Sequence, residues 1–66
     1  MISYEPLFVT LLQHGMTKTD LRKSLGLGTG TIAKMSKNQY ISLENIDKIC
    51  QYLNCNVEDV IKVIPD

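Results

Sequence analysis

Apolar residues recur along this chain at helical spacing, and no strict alternation of apolar and polar positions lasts beyond a few residues. Leu7, Phe8, Leu11 and Leu12 form one stripe and predict a first helix from about Glu5 to His14. Pro6 suits its first turn, where the missing N–H removes nothing, and Gly15 follows as a residue able to take positive φ and stop the helix. Thr17 caps a second helix, and Asp20, three residues on, completes a capping box with Asp in place of Glu. Leu21 and Leu25 face inward there, Arg22, Lys23 and Ser24 face outward, and Gly26 ends the helix. Leu27 anchors a tight turn into a third helix, from Gly28 or Thr29 to Ser36, with Ile32 and Met35 buried and Asn38 as the left-handed residue beyond it. Ser42 caps a fourth helix from Leu43 to Leu53. Its stripe of Leu43, Ile46, Ile49, Cys50 and Leu53 is the clearest in the chain, and Asn54 closes it. Asn56 opens a fifth, short helix, with Asp59 three residues on and Val57, Val60 and Ile61 turned to the core. Ile2-Ser3-Tyr4 and Lys62-Val63-Ile64 are short and β-branched and are expected to pair as terminal strands. The pattern therefore predicts an all-α fold: a compact five-helix bundle with a short strand pair at its ends.

Composition narrows the class. With 66 residues, 44% hydrophobic and 21% charged, the chain reads as one ordered domain over residues 1–66. Apolar runs fall short of the roughly 20 residues of a membrane span, and no basic stretch precedes an apolar one as in a signal peptide. A soluble, cytoplasmic protein without membrane contact is expected. Cys50 and Cys55 do not make the disulfide framework of a small secreted domain and lack the spacing of a zinc or redox pair, so they read as two reduced, packed thiols. His14, near a helix C-terminus, reads as a residue favoured by the macrodipole. Gly26, Gly28 and Gly30 lack both the spacing and the preceding strand of a nucleotide-binding loop. Nothing marks an enzyme, a metal site or a cofactor.

Charge changes the picture more. The net charge is zero, yet five of the seven basic residues, Lys18, Arg22, Lys23, Lys34 and Lys37, fall between positions 18 and 37, opposed there only by Asp20. The other six acidic residues lie elsewhere. A basic segment on a neutral chain marks an anion-facing surface. That segment coincides with two short helices, Thr17 to Leu25 and Gly28 to Ser36, joined by a tight Gly-containing turn, which are the elements of a helix-turn-helix. A short turn makes the helices cross steeply and props the second outward, so that its N-terminal residues can enter a major groove while the first crosses the backbone.

The run Gly15-Met16-Thr17-Lys18-Thr19-Asp20-Leu21 through Leu25-Gly26-Leu27, then Thr31-Ile32-Ala33-Lys34-Met35, resembles the phage-repressor and Cro type of helix-turn-helix, the xenobiotic-response-element family. The helix from Ser42 to Leu53 and the run Asn56-Val57-Glu58-Asp59-Val60-Ile61 fit the same domain, so the resemblance covers nearly the whole chain. It implies a double-stranded-DNA-binding transcriptional regulator, a repressor that occupies its operator as a homodimer. By the same resemblance Thr29, Gly30, Ala33 and Lys34 would read bases. Lys18, Gly28, Thr31 and Lys37 would meet phosphate, and Arg22 and Lys23 would flank the duplex or form a solvated face.

The reading positions depart from the family's usual Gln, Asn, Ser or Arg. Thr29 and Ala33 can touch a thymine methyl, and Lys34 can reach guanine, but Gly30 offers only close backbone approach. Direct readout is thin, which leaves room for readout of DNA shape. A homodimer would set two reading helices about 34 Å apart, and the apolar terminal residues Ile2, Tyr4, Val60, Val63 and Ile64 are its candidate interface or, alternatively, the base of the chain's own core. A second reading keeps the fold and changes the partner, to a protein-interaction module such as an antitoxin-like regulator.

Overall fold

A computed structural model describes residues 1–65. The chain runs β1 (Ile2–Ser3), α1 (Glu5–Gln13), α2 (Lys18–Leu25), α3 (Thr29–Ser36), α4 (Leu43–Leu53), a single 3-10 turn at Val57–Asp59 and β2 (Lys62–Val63). The strands pair antiparallel, Ile2 opposite Val63 and Ser3 opposite Lys62. The Ile64 N–H adds a bond to the Met1 carbonyl at 2.8 Å, so the two ends of the chain close on each other.

Each α-helix ends on a left-handed residue: Gly15 (φ 67°), Gly26 (φ 66°), Asn38 (φ 55°) and Asn54 (φ 52°). After that residue the next N–H turns back to a carbonyl five positions earlier: Met16 to Leu11 at 2.9 Å, Leu27 to Arg22 at 3.0 Å, Gln39 to Lys34 at 2.9 Å and Cys55 to Cys50 at 3.0 Å. This terminator satisfies carbonyls that the helix leaves orphaned and reverses the chain sharply. Four such reversals fold four short helices onto one core. Tyr4, Leu7, Leu11, Leu21, Leu27, Met35, Ile46, Ile49, Leu53 and Val60 make that core, with contributions from every helix.

The fifth helix is not formed. Asn56 does start a turn, with its N–H donating to the Asp59 carboxylate at 3.1 Å. Only three residues follow before Val60 bonds back to Val57 and the chain departs into β2, too few for an α-helical turn to propagate. The described residues thus form four α-helices and a strand pair rather than a five-helix bundle. Three apolar positions expected inside lie outside: Leu12 and Leu43 are each 80% exposed and Val57 is half exposed. In α1 the inward face is Leu7, Thr10 and Leu11, and Leu12 lies about 100° further round the helix. Leu43 shares a face with Ile46 but sits in the first turn, ahead of the buried length.

Candidate nucleic-acid interface

The second helix begins where the sequence requires it. The Thr17 hydroxyl accepts from the Asp20 N–H at 3.1 Å, and the Thr17 N–H donates to the Asp20 carboxylate at 3.0 Å. The bond from the Thr17 N–H foremost, with the Thr17 side chain adding to it, holds the Asp20 carboxyl below its ordinary value. The one acid inside the basic segment is therefore committed to the cap. At the other end of α2, Gly26 and buried Leu27 make the turn, and Leu21 anchors the helix to the core.

The third helix is positioned by its inner face. Met35 is fully buried, Ile32 packs against the core, and Thr31 is half-buried. The outer face is Thr29, Gly30, Ala33, Lys34 and Lys37, all exposed and spaced as one helical stripe. All four expected base-reading residues and Lys37 thus share one open face. Gly28 caps this helix in an extended conformation, φ −69° and ψ 154°, without a side-chain bond, and no acidic residue sits in the first turn. Among the described residues the N–H groups of Thr29 and Gly30 find no acceptor. Two N–H groups and the positive end of the helix dipole are left pointing at solvent, an arrangement that favours an anion.

Neither exposed glycine has an internal reason to lack a side chain. A Cβ built at Gly28 or Gly30 meets nothing within 4 Å, and neither residue has positive φ. Gly15 and Gly26 differ, because their left-handed backbone excludes most side chains.

The cations divide by location. Lys48 pairs with Glu44 at 3.4 Å and Lys62 with Glu5 at 3.2 Å. Among the described residues, none of the cations between 18 and 37 is in a salt bridge. Arg22 is half-buried and Lys23 exposed, and both sit in the last turn of α2, where the helix dipole favours them irrespective of any ligand. The Lys18 ammonium extends to the Ser36 hydroxyl at 3.3 Å and lies 4.8 Å from the centre of the Phe8 ring. It ties the start of α2 to the end of α3 and arrives beside the residue that precedes Lys37. Nothing in the sequence around Lys18 foretold these two partners.

The loop after α3 is pinned from the opposite end of the chain. The Tyr4 N–H donates to the Asn38 side-chain oxygen at 3.2 Å, and the Tyr4 hydroxyl donates to the Gln39 carbonyl at 2.6 Å. Asn38 thereby serves twice, as the left-handed terminator of α3 and as the acceptor that locates Tyr4. Beyond it Tyr40 is 74% exposed, an aromatic that the helical pattern did not single out.

The terminal residues considered for a dimer separate into two groups. Tyr4 and Val60 are wholly buried within the protomer, so neither presents a surface to a partner: they belong to the base of the core. Ile2 and Ile64 are half-buried and Val63 is 78% exposed beside exposed Met1. Among the described residues there is no cluster of His, Cys, Asp and Glu able to hold a metal, and no helix is long and apolar enough to cross a membrane.

A family model for the Cro/C1-type HTH DNA-binding domain matches residues 7–66. The crystal structure of the transcriptional regulator VanUg, Form II, superposes with a TM-score of 0.95 at 38% identity, covering 98% of this chain and 87% of that one. No curated protein matches the chain.

Proposed function

The chain belongs to the Cro/C1-type helix-turn-helix DNA-binding domains, and on that premise we propose that it is a transcriptional regulator that places α3 in the major groove and represses by occupying its operator. The observation that carries this reading is the outer face of α3. Thr29, Gly30, Ala33, Lys34 and Lys37 are all exposed, the helix N-terminus has no side-chain cap, and among the described residues no carboxylate pairs with the cations. The likeness to a protein described as a transcriptional regulator supports the same assignment.

Roles follow from position. Thr29 and Ala33 offer methyl groups to thymine, and Lys34 reaches toward guanine O6 or N7. The free N–H groups at Thr29 and Gly30, Gly28 and the Thr31 hydroxyl meet phosphate, with Lys37 a further phosphate contact from the loop. Lys18 supplies positive charge from the start of α2, while Arg22 and Lys23 stand further along that helix. With so few side chains able to make bidentate bonds, readout of DNA shape carries much of the selectivity. Two copies on a near-palindrome would double the contacts, and exposed Val63 of the strand pair with exposed Met1, flanked by Ile2 and Ile64, supports a dimer through the joined termini.

Fluorescence anisotropy with a duplex of pooled sequence tests the reading. Binding is expected at about 50 mM salt, weakening steeply by about 200 mM as counterions are released. Lys18→Ala with Lys37→Ala should lower the slope of log K against log salt by about 2, one unit for each lost phosphate contact. A folded protein with flat anisotropy at low salt, or an unchanged slope in the double variant, overturns it.

A further inference from the structure

The left-handed terminator that ends each helix also brings two side chains together, those of the residue whose carbonyl accepts the long return bond and the residue whose N–H donates it. At α1 the pair is Leu11 and Met16, at α2 Arg22 and Leu27, and at α3 Lys34 and Gln39. At α4 it is Cys50 and Cys55, joined through the backbone at 3.0 Å with Asn54 holding φ 52° between them. That return bond sets the two residues side by side at the end of the helix, the juxtaposition a disulfide needs. The two thiols are free and half-buried against the core. Neither belongs to the α2–α3 face.

We propose that Cys50 and Cys55 are a reversible modification site that closes to an intrachain disulfide by exchange with a low-molecular-weight disulfide. Cys50, as thiolate, attacks one sulfur of the oxidant. A mixed disulfide forms and one small thiolate leaves. Cys55 then gives up its proton and attacks the Cys50 sulfur, forming the Cys50–Cys55 bond and expelling the second small thiolate. The two protein protons end on the two released thiols, so two protein thiols are oxidised and one disulfide is reduced. Burial pushes both thiols above the ordinary cysteine range, so exchange is slow at neutral pH and quickens as pH rises. Once formed, the bond clamps the end of α4.

Incubating the full-length chain with glutathione disulfide tests this, read by intact mass and by peptide mapping without reduction. The expected product is a monomer lighter by two hydrogens, carrying a Cys50–Cys55 link, without a glutathione adduct, and restored by dithiothreitol. Its thermal midpoint should rise by on the order of 10 °C. Cys55→Ser should instead stop at a stable mixed disulfide on Cys50. A wild-type product that keeps glutathione on either cysteine overturns the proposal, as does one joined between chains or one that reacts only in denaturant. If Cys55→Ser does not fold, the peptide map of the wild-type product separates these outcomes by itself.

Discussion

Replacing Gly30 by Ala should make the protein more stable and a poorer ligand for DNA, two effects of opposite sign from one methyl group. The methyl meets nothing in the protein within 4 Å, so there is no packing cost. Gly30 lies inside α3 with no positive φ, and a helical glycine is less favourable than alanine by about 0.5–1 kcal/mol. For a domain of this size that gain raises the thermal midpoint by about 2–8 °C. The same methyl stands on the exposed stripe with Thr29, Ala33 and Lys34, beside N–H groups left free for phosphate. If the duplex approaches the backbone there, the methyl holds it off, and the loss of one charge-assisted bond, about 1.5–3 kcal/mol, weakens binding by tenfold or more. Gly26→Ala is the control. Its added carbon also meets open space, but φ is +66°, so alanine there costs about 1–2 kcal/mol. Thermal unfolding of the three proteins without DNA, and anisotropy of each on one duplex at fixed salt, give both readouts. A Gly30→Ala protein that is stabilised yet binds undiminished would refute backbone approach at Gly30. One that is destabilised would refute the account of α3 itself.

Other positions give equally definite expectations. Thr17→Ala removes the hydroxyl that accepts from Asp20 and should cost about 1 kcal/mol in urea unfolding, and no loss would contradict the capping assignment. Tyr4→Phe deletes the 2.6 Å bond to the Gln39 carbonyl and should cost about 0.5–1.5 kcal/mol, with faster amide exchange in the loop after α3. Unchanged exchange there would show that Tyr4 does not hold the loop. The Asp20 carboxylate, bonded to Thr17, should titrate below its ordinary value in a carbon-13 NMR titration. Because its folded-state value is the lower one, its contribution to stability is complete above the unfolded value of about 3.9 and is lost as pH falls through the folded one. A normal or raised titration point would remove the box.

Local chemistry made most of the helix-turn-helix legible. Gly15, Gly26, Asn38 and Asn54 each announce a left-handed stop, because these residue types bear positive φ at least cost. Thr17 with Asp20, and Ser42 ahead of an amphipathic run, mark helix starts through hydrogen bonds made within three residues. Even the strand pair was visible in the β-branched ends. What escaped depends on contacts distant in sequence or on position along an element. Periodicity says which face of α1 or α4 is apolar but not where its neighbours begin, so Leu12 and Leu43 were assigned to a core they do not reach. Asn56 signals a start but not a length, and a 3-10 turn resulted. Tyr4 and Val60 looked like surplus apolar residues because their burial comes from α1, the 3-10 turn and the loop after α3 closing around them. The Lys18 contacts with Phe8 and Ser36 join three helices, and no local pattern encodes them.

The assignment of α3 as the surface that meets DNA is tested most directly by a nitrogen-15 NMR titration of the protein with a duplex at low salt. The account predicts the largest amide shifts at Lys18, at Gly28 through Lys34 and at Lys37, with α1 and the strand pair little changed in a monomer. Shifts concentrated on α1 or on Val63 and Ile64, with the α3 amides unmoved in a folded protein, would contradict it.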